Sequence, residues 1–201
     1  EGGIGCFHHL PEFEVHYIDD DTLADQAIMA EKLNELQPHL AFFSHVYYDT
    51  GYLAPVKDWF NIVHKTVPDC KIILDAAQSL GLYEVPFGAA DAIVGSTHKW
   101  LFGPHGGGLM WMKASFYKWI EGVFWSGHGL AYDPEIAPLS IPGGQDFQMY
   151  PAIEEALKLF KKTGQDIILT RSSYLRSGFQ KKLAEVFTSN AIEHTFLNDE
   201  A

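Results

Sequence analysis

Residues 71–112 read KIILDAAQSLGLYEVPFGAADAIVGSTHKWLFGPHGGGLMWM. This stretch contains three short apolar runs, at 72–74, 92–95 and 109–112, which are bounded by glycine, proline or polar residues. Such runs are typical of strands that are buried on both faces, as in a parallel or mixed sheet covered by helices. The stretch therefore predicts an α/β fold.

Polar side chains follow the first two runs, at the point where each predicted strand ends. Asp75 comes directly after the first run, and Ser96, Thr97, His98 and Lys99 come directly after the second. In open α/β sheets, ligands bind beyond the carboxyl ends of the strands. We therefore expect these side chains to form a site at one edge of the sheet.

Lys99 is followed by the apolar sequence Trp-Leu-Phe, which suggests a dry environment. Desolvation disfavours the charged ammonium and frees the amine to attack a carbonyl, so Lys99 is a candidate Schiff-base nucleophile. The carboxylate of Asp75 is suited to the pyridinium N–H of pyridoxal phosphate, and the three residues before the lysine offer donors for a phosphate. The structural alternative stays open, with Asp75 capping a helix, His98 satisfied in the core and Lys99 solvated.

The same residues carry a resemblance to a known family. The ordered elements are DAAQS at 75–79, Asp91, STHK at 96–99 and GPHGGG at 103–108. This order resembles the core signature of class V aminotransferases, a group of fold-type-I pyridoxal-phosphate enzymes. The group includes cysteine desulfurases and proteins like selenocysteine lyase and isopenicillin-N epimerase.

The resemblance implies a role for five residues. Lys99 would form the Schiff base with pyridoxal 5'-phosphate and later move the Cα proton of the substrate. Asp75 would pair with the pyridine nitrogen, Gln78 would contact the phenolic oxygen, and Ser96 and His98 would bind the phosphate. The implied enzyme is a transferase or lyase that acts on an amino acid by transamination, epimerisation or β-elimination. A non-catalytic relative that keeps the fold as a binding or interaction domain is the alternative.

The resemblance also implies an architecture. Residues 1–201 would be a single pyridoxal-phosphate-binding large domain, a mostly parallel mixed sheet flanked by helices in three layers. Judged against the family, this domain would be incomplete at both ends. A cytoplasmic homodimer is the expected form.

The composition of the chain limits the classes of partner that it could bind. Its 201 residues, 47% of them hydrophobic, suit a globular domain with a sizeable core. A formal net charge of −12 argues against binding to nucleic acid or to an anionic membrane. No apolar run approaches the roughly 18 residues of a membrane span. Neither Cys6 nor Cys70 lies where a desulfurase carries its catalytic cysteine, and the two make no disulfide framework.

The chain departs from the family pattern at two places. The family reads Ser-His-Val-x-Asn after one strand, and its Asn helps to hold the cofactor or substrate; here Tyr47 and Tyr48 follow Val46. Gly144 stands where the family has a threonine that reaches the phosphate of the partner subunit. The glycine-rich segment 103–108 is interpreted as a turn rather than as a phosphate-binding nest.

The remaining elements are predicted from periodicity and turn residues. Strands are expected at 14–18 and from 40 to 43, and residues 121–144 are expected to be irregular. Helices are expected at 22–37 with Thr22 as the cap, 55–67, 115–120, 151–162 and 165–187. The last helix carries an apolar stripe, formed by Ile168, Leu175, Phe179, Leu183 and Val186.

A metal-dependent hydrolase is a third hypothesis. It would use Asp75 with several of the ten histidines of the chain. The candidates are His8, His9, His45, His98, His105 and His128. They lack the i, i+4 pairing or the cysteine partners of a strong metal motif, so we predict no metal site.

Overall fold

The computed structural model describes residues 13–120 and 147–196, which form four strands and six helices. The strands are β1 (Leu40–Ser44), β2 (Lys71–Asp75), β3 (Ala92–Ser96) and β4 (Gly108–Met112). The helices are α1 (Asp20–Ala24), α2 (Gln26–Leu36), α3 (Val56–Thr66), α4 (Ala114–Trp119), α5 (Met149–Thr163) and α6 (Gln165–Ser189). None of these helices is long and apolar enough to cross a membrane.

The strands form one mixed sheet in the order β1-β2-β3-β4. The first three are parallel, and β4 runs antiparallel to β3. Ser44 pairs with Asp75, Asp75 with Val94, and Ser96 with Gly108. This register brings the carboxyl ends of three strands to one edge and confirms the predicted mostly parallel mixed sheet flanked by helices.

One face of the sheet forms the main core with the helices that precede β2. Phe43 of β1 lies 5.6 Å from the ring of Trp59 and 5.7 Å from that of Phe60, both on α3. Leu74 and Ile93 pair across β2 and β3 and are almost fully buried. Aromatic rings at these separations add to the free energy gained by burying apolar area. This layer fixes the carboxyl ends of the strands in place.

The opposite face of the sheet is less covered. Ile73 and Val94 are half-buried on this face, and Met110, which pairs with Val94, is 58% exposed. Within the described residues this face is therefore less buried than the apolar runs predict, although Ala92 of β3, which pairs with Ile73, is almost fully buried.

The amino-terminal segment differs from the sequence prediction. Residues 14–18 form no strand, and the predicted helix at 22–37 is two helices separated at Asp25. Thr22 is not a cap; instead its backbone N–H donates to Asp19 Oδ1 at 2.7 Å. This hydrogen bond lowers the pKa of the Asp19 carboxyl, and Asp25 caps α2 through the N–H of Ala27 at 2.8 Å. Aspartates cap helices because their oxygens accept the free N–H groups of the first turn.

The later helices form where they were predicted, but the predicted apolar face is buried in α3 and exposed in α6. The predicted inward residues of α3 are all buried: Val56, Trp59, Phe60 and Val63. In contrast, no residue of α6 is buried, and Leu175, Phe179 and Val186 of its predicted stripe are 52%, 65% and 53% exposed. The irregular segment 121–144 and its Gly144 lie outside the described residues.

Candidate functional site

An open cavity of about 600 Å³ lies at the carboxyl edge of the sheet. Its wall includes Asp75 at the end of β2, Ser96 at the end of β3, and His98 two residues later. The glycines at 106–108 close the other side. The register of the parallel strands brings the carboxylate to the wall that carries the hydroxyl and the imidazole, which are only two residues apart in sequence.

Three of the five predicted site residues thus share this cavity, and two do not line it. Gln78 lies in the turn that follows Asp75, and Lys99 lies in the turn that follows His98. Both are half-buried, and the Lys99 carbonyl accepts the N–H of Phe102 at 3.2 Å. Neither side chain is therefore among the groups that line the shared wall.

The carboxylate of Asp75 is oriented by its own turn. Its Oδ1 atom accepts the backbone N–H of Ala77 at 2.8 Å, while its carbonyl accepts the N–H of His45 at 2.9 Å. The next residue, Ala76, donates its N–H to the carbonyl of Val94 at 2.7 Å. The structural alternative expected Asp75 to cap a helix, but a turn follows it, and the side chain supports that turn.

Among the described residues, His98 has the only imidazole on the cavity wall, and its hydrogen bonding is incomplete. Its Nδ1 atom is buried and has no hydrogen-bond partner within the described residues. The ring stacks on that of His105, with centroids 4.5 Å apart and an interplanar angle of 26°. A buried nitrogen without a partner is costly, and an anionic oxygen would satisfy it. The alternative of a satisfied core histidine therefore does not fit, whereas an anion-binding role does.

Ser96 and Thr97 differ in role although they are adjacent. The Ser96 hydroxyl reaches the Ala77 carbonyl at 3.4 Å and so links the wall to the Asp75 turn. Thr97 is fully buried, and its hydroxyl donates to the carbonyl of Pro104 at 3.4 Å. Its backbone N–H also donates to the Gly107 carbonyl at 3.1 Å. Thr97, which was a candidate phosphate donor, instead closes the 97–107 segment.

This arrangement supports a turn in the glycine-rich segment. A Cβ atom on Gly107 would lie 2.5 Å from Thr97 Oγ1 and 2.9 Å from Ile153 Cδ1 of α5. Only a residue without a side chain leaves room for these two side-chain atoms. Sequence reasoning named His105 only within the glycine-rich segment and as a candidate metal ligand, because nothing in the local pattern indicates that its ring would stack on His98.

The two tyrosines in place of the family pattern do not line the cavity. Tyr48 is 73% exposed, whereas the Tyr47 ring packs edge-on against Tyr52 with centroids 5.5 Å apart. The Tyr47 hydroxyl donates to Asp20 Oδ1 at 3.5 Å. Burial, followed by the charge of Asp20, raises the pKa of Tyr47 to about 12. Tyr47 therefore stays a neutral phenol that links β1 to α1.

Other groups in the described part of the chain form no competing site. No cluster of three or more histidine, cysteine, aspartate or glutamate residues there could hold a metal ion. His8, His9 and His128 lie outside that part. Burial raises the pKa of the Cys70 thiol to about 11, which disfavours the nucleophilic thiolate. A second depression of about 480 Å³ is formed by α6 alone, between Asp166 and Tyr174.

Comparison with solved structures identifies the fold. A cysteine desulfurase from Thermococcus onnurineus NA1 matches with a TM-score of 0.67 and 22% identity, over 86% of this chain and 45% of that chain. An alanine–glyoxylate aminotransferase from Nostoc sp. matches with a TM-score of 0.65 and 15% identity, over 81% of this chain and 45% of that chain. A ureidoglycine–glyoxylate aminotransferase from Bacillus subtilis matches with a TM-score of 0.56 and 19% identity, over 73% of this chain and 40% of that chain.

The chain spans less than half the length of these three proteins. No family model matches the sequence, and no curated protein matches it. The likeness therefore lies in the backbone rather than in overall sequence identity. The chain has the class V aminotransferase fold, as its signature from Asp75 to Gly108 predicts.

Proposed function

We propose that this chain binds pyridoxal 5'-phosphate and supplies the lysine of an enzyme that acts on an amino acid. The observation that carries the proposal is the shared wall of Asp75, Ser96 and His98, in a chain with this fold. The unpartnered buried Nδ1 of His98 fits a phosphate oxygen, and a carboxylate fits a protonated pyridine nitrogen. The residues present therefore fit the cofactor.

Each residue has a task in this proposal. Asp75 holds the pyridine nitrogen, Gln78 contacts the phenolic oxygen, and Ser96 and His98 bind the phosphate. Lys99 anchors the cofactor through Nζ and then accepts and returns the Cα proton of the substrate. When bound, the cofactor supplies an electron sink for the bonds at the substrate Cα.

The test is an absorbance spectrum after pyridoxal phosphate is added, followed by borohydride reduction and peptide mapping. We expect a new band in the near-ultraviolet or visible range and a reduced label on Lys99. The Lys99→Ala variant should lose both. The Lys71→Ala variant, altered at the opposite edge of the sheet, should keep both. A label elsewhere, or no band at all, would refute the claim that this chain binds the cofactor through Lys99.

A non-catalytic relative is the second candidate, because neither Gln78 nor Lys99 lines the cavity. Such a protein would bind the cofactor through Lys99 but would leave the absorbance band unchanged with every amino acid. Titration with single amino acids therefore separates the candidates, since an enzyme would shift the band with at least one of them.

We further propose a homodimer in the cytoplasm as the working form. The exposed apolar side chains of α6 and β4 support association. Sedimentation velocity across a range of concentrations tests the dimer, and a monomer at every concentration would contradict it.

A further inference from the structure

A buried hydrogen bond joins the end of β1 to the turn behind the cavity wall. His45 Nδ1 lies 2.9 Å from Ser79 Oγ, and the two side chains are 6% and 0% exposed. The Ser79 hydroxyl lies within hydrogen-bond distance of two acceptors, the carbonyl of Ala76 at 3.3 Å and His45 Nδ1 at 2.9 Å. The tautomer of His45 decides whether Nδ1 donates to the serine or accepts from it.

The turn held by this bond is the one that presents two proposed cofactor ligands. Ser79 N–H and Leu80 N–H both donate to the Ala76 carbonyl, at 3.0 and 2.7 Å. Within the same turn, Ala77 N–H fixes the carboxylate of Asp75 at 2.8 Å. The turn from 76 to 79 thus sets the direction of the Asp75 carboxylate and carries Gln78 at its tip.

The bond is not needed to pair the strands. The ladder between β1 and β2 is complete from Leu40 opposite Lys71 to Ser44 opposite Asp75, and the N–H of His45 extends it to the Asp75 carbonyl at 2.9 Å. The His45 side chain leaves this ladder and bonds to the turn alone. Its loss should therefore loosen the turn more than the sheet. A buried polar side chain that loses its partner drives such local rearrangement, because the unpaired group is costly.

We propose that His45 is a positioning residue, which holds the Asp75 carboxylate and Gln78 in place through the hydrogen bond between its Nδ1 atom and the Ser79 hydroxyl. This inference rests on the proposed function, because it assigns Asp75 and Gln78 to the cofactor ring. It adds a residue that never contacts the ring. The phosphate-binding side of the cavity, formed by Ser96 and His98, should be largely independent of it.

Two variants test the proposal because they place an amide group differently. In His45→Asn the side-chain amide occupies nearly the place of Nδ1, whereas in His45→Gln it is one bond too far. We expect His45→Gln to weaken the binding of pyridoxal phosphate by roughly 3- to 10-fold, the effect of one lost hydrogen bond. His45→Asn should stay within about 2-fold of the wild type on the same basis. The affinity for inorganic phosphate alone should be unchanged in both.

A measurement without cofactor separates this inference from the proposed function. Hydrogen exchange of the Ala77 amide, which donates to Asp75, should accelerate in His45→Gln and not in His45→Asn. Ser79→Ala removes the hydroxyl with little change in volume and should behave as His45→Gln does. If the wild type fails to bind pyridoxal phosphate, the proposed function fails, and the exchange of Ala77 still decides whether His45 holds the turn.

Three results would overturn the proposal. The first is equal exchange of the Ala77 amide in the wild type and His45→Gln. The second is an equal loss of affinity for pyridoxal phosphate in His45→Asn and His45→Gln, because the bulk or charge of the side chain rather than the position of Nδ1 would then matter. The third is a parallel loss of affinity for inorganic phosphate, which would indicate a general loss of structure.

Discussion

The carboxylate of Asp91 accepts the backbone N–H of Ile72 at 2.9 Å, although the two residues are 19 positions apart. The other oxygen of this carboxylate lies 3.4 Å from Lys113 Nζ. The backbone N–H of Asp91 donates to the Ile72 carbonyl at 2.8 Å. One buried aspartate thus links β2, the start of β3 and the segment after β4. This link lies at the edge of the sheet opposite to the cavity.

Removing that carboxylate should destabilise the fold. Asp91→Ala leaves the buried N–H of Ile72 without a partner, which costs about 1–3 kcal/mol in the free energy of unfolding. Asp91→Asn keeps an oxygen for the N–H and should lose less. Urea unfolding measures both. Equal stability of Asp91→Ala and the wild type would show that the hydrogen bond contributes nothing.

The same substitution should have different effects on the buried and exposed parts of the chain. Leu74 is fully buried in the core, whereas Leu175 of α6 is 52% exposed. We expect Leu74→Ala to lower the free energy of unfolding by about 2–5 kcal/mol. Leu175→Ala should change it by about 0.5 kcal/mol or less. A loss above about 1 kcal/mol for Leu175→Ala would indicate that its side chain packs against a partner, since surface changes are usually smaller.

A methyl group at Gly107 should disturb the cavity wall. The new Cβ would lie 2.5 Å from Thr97 Oγ1 and 2.9 Å from Ile153 Cδ1, so these side chains or the backbone at Gly107 must shift. Overpacking of this kind costs about 1–3 kcal/mol. Adding Thr97→Ala to Gly107→Ala removes the clashing oxygen and should restore part of the loss in urea unfolding. Strict additivity of the two substitutions would show that they do not interact.

The two sides of the proposed site should respond to different ligands. His98→Ala should lower the affinity for both pyridoxal phosphate and inorganic phosphate by about 10- to 100-fold, because a hydrogen bond to a charged group is lost. Asp75→Asn should lower the affinity for pyridoxal phosphate and leave the affinity for inorganic phosphate unchanged. Isothermal titration calorimetry with each ligand measures the four affinities. Weaker phosphate binding in Asp75→Asn would contradict the assignment of the carboxylate to the ring nitrogen.

Stability should fall as the solution becomes acidic, in part through His45. Burial, followed by the charge of Lys57, lowers the pKa of His45 below its ordinary value of 6.5. Below that pH the unfolded chain takes up a proton at this position while the folded chain resists it. The stabilising contribution is therefore complete above 6.5 and declines as the pH falls toward the lowered value.

The control for this pH effect is His45→Asn, which keeps the hydrogen bond but cannot titrate. The free energy of unfolding in urea, measured at about pH 7.5 and about pH 5.5, should fall less in the variant than in the wild type. The other histidines are common to both proteins and cancel in the comparison. An identical decline would show that His45 is not responsible.

The centre of the fold could be predicted from sequence because its signals are local. The apolar runs that became β2, β3 and β4 are bounded by turn residues, and the spacing of Val56, Trp59, Phe60 and Val63 indicates one face of a helix. The same reasoning failed at 14–18, where alternation alone suggested a strand. A strand needs a partner, and the described sheet has none for this segment.

The candidate site could be predicted in its residue types but not in its contacts. Asp75, Ser96 and His98 meet because parallel strands end at one edge, which the pattern of runs implies. The stacking of His105 on His98 and the bond from His45 to Ser79 depend on how separate turns pack. The spacing of apolar residues along the chain does not predict such packing. Thr97 shows the converse, since its hydroxyl suits a phosphate by chemistry but is used by Pro104.

The antiparallel pairing of β4 with β3 has a consequence for how the site assembles. The two strands are joined directly by residues 97–107, so the segment that carries Lys99 closes through contacts close in sequence. Asp75 reaches the same wall only after parallel crossovers on either side of β2, whose contacts span longer loops. Short loops close at lower entropic cost and therefore sooner. We expect the lysine segment to form early in folding, with the carboxylate that faces the cofactor arriving last.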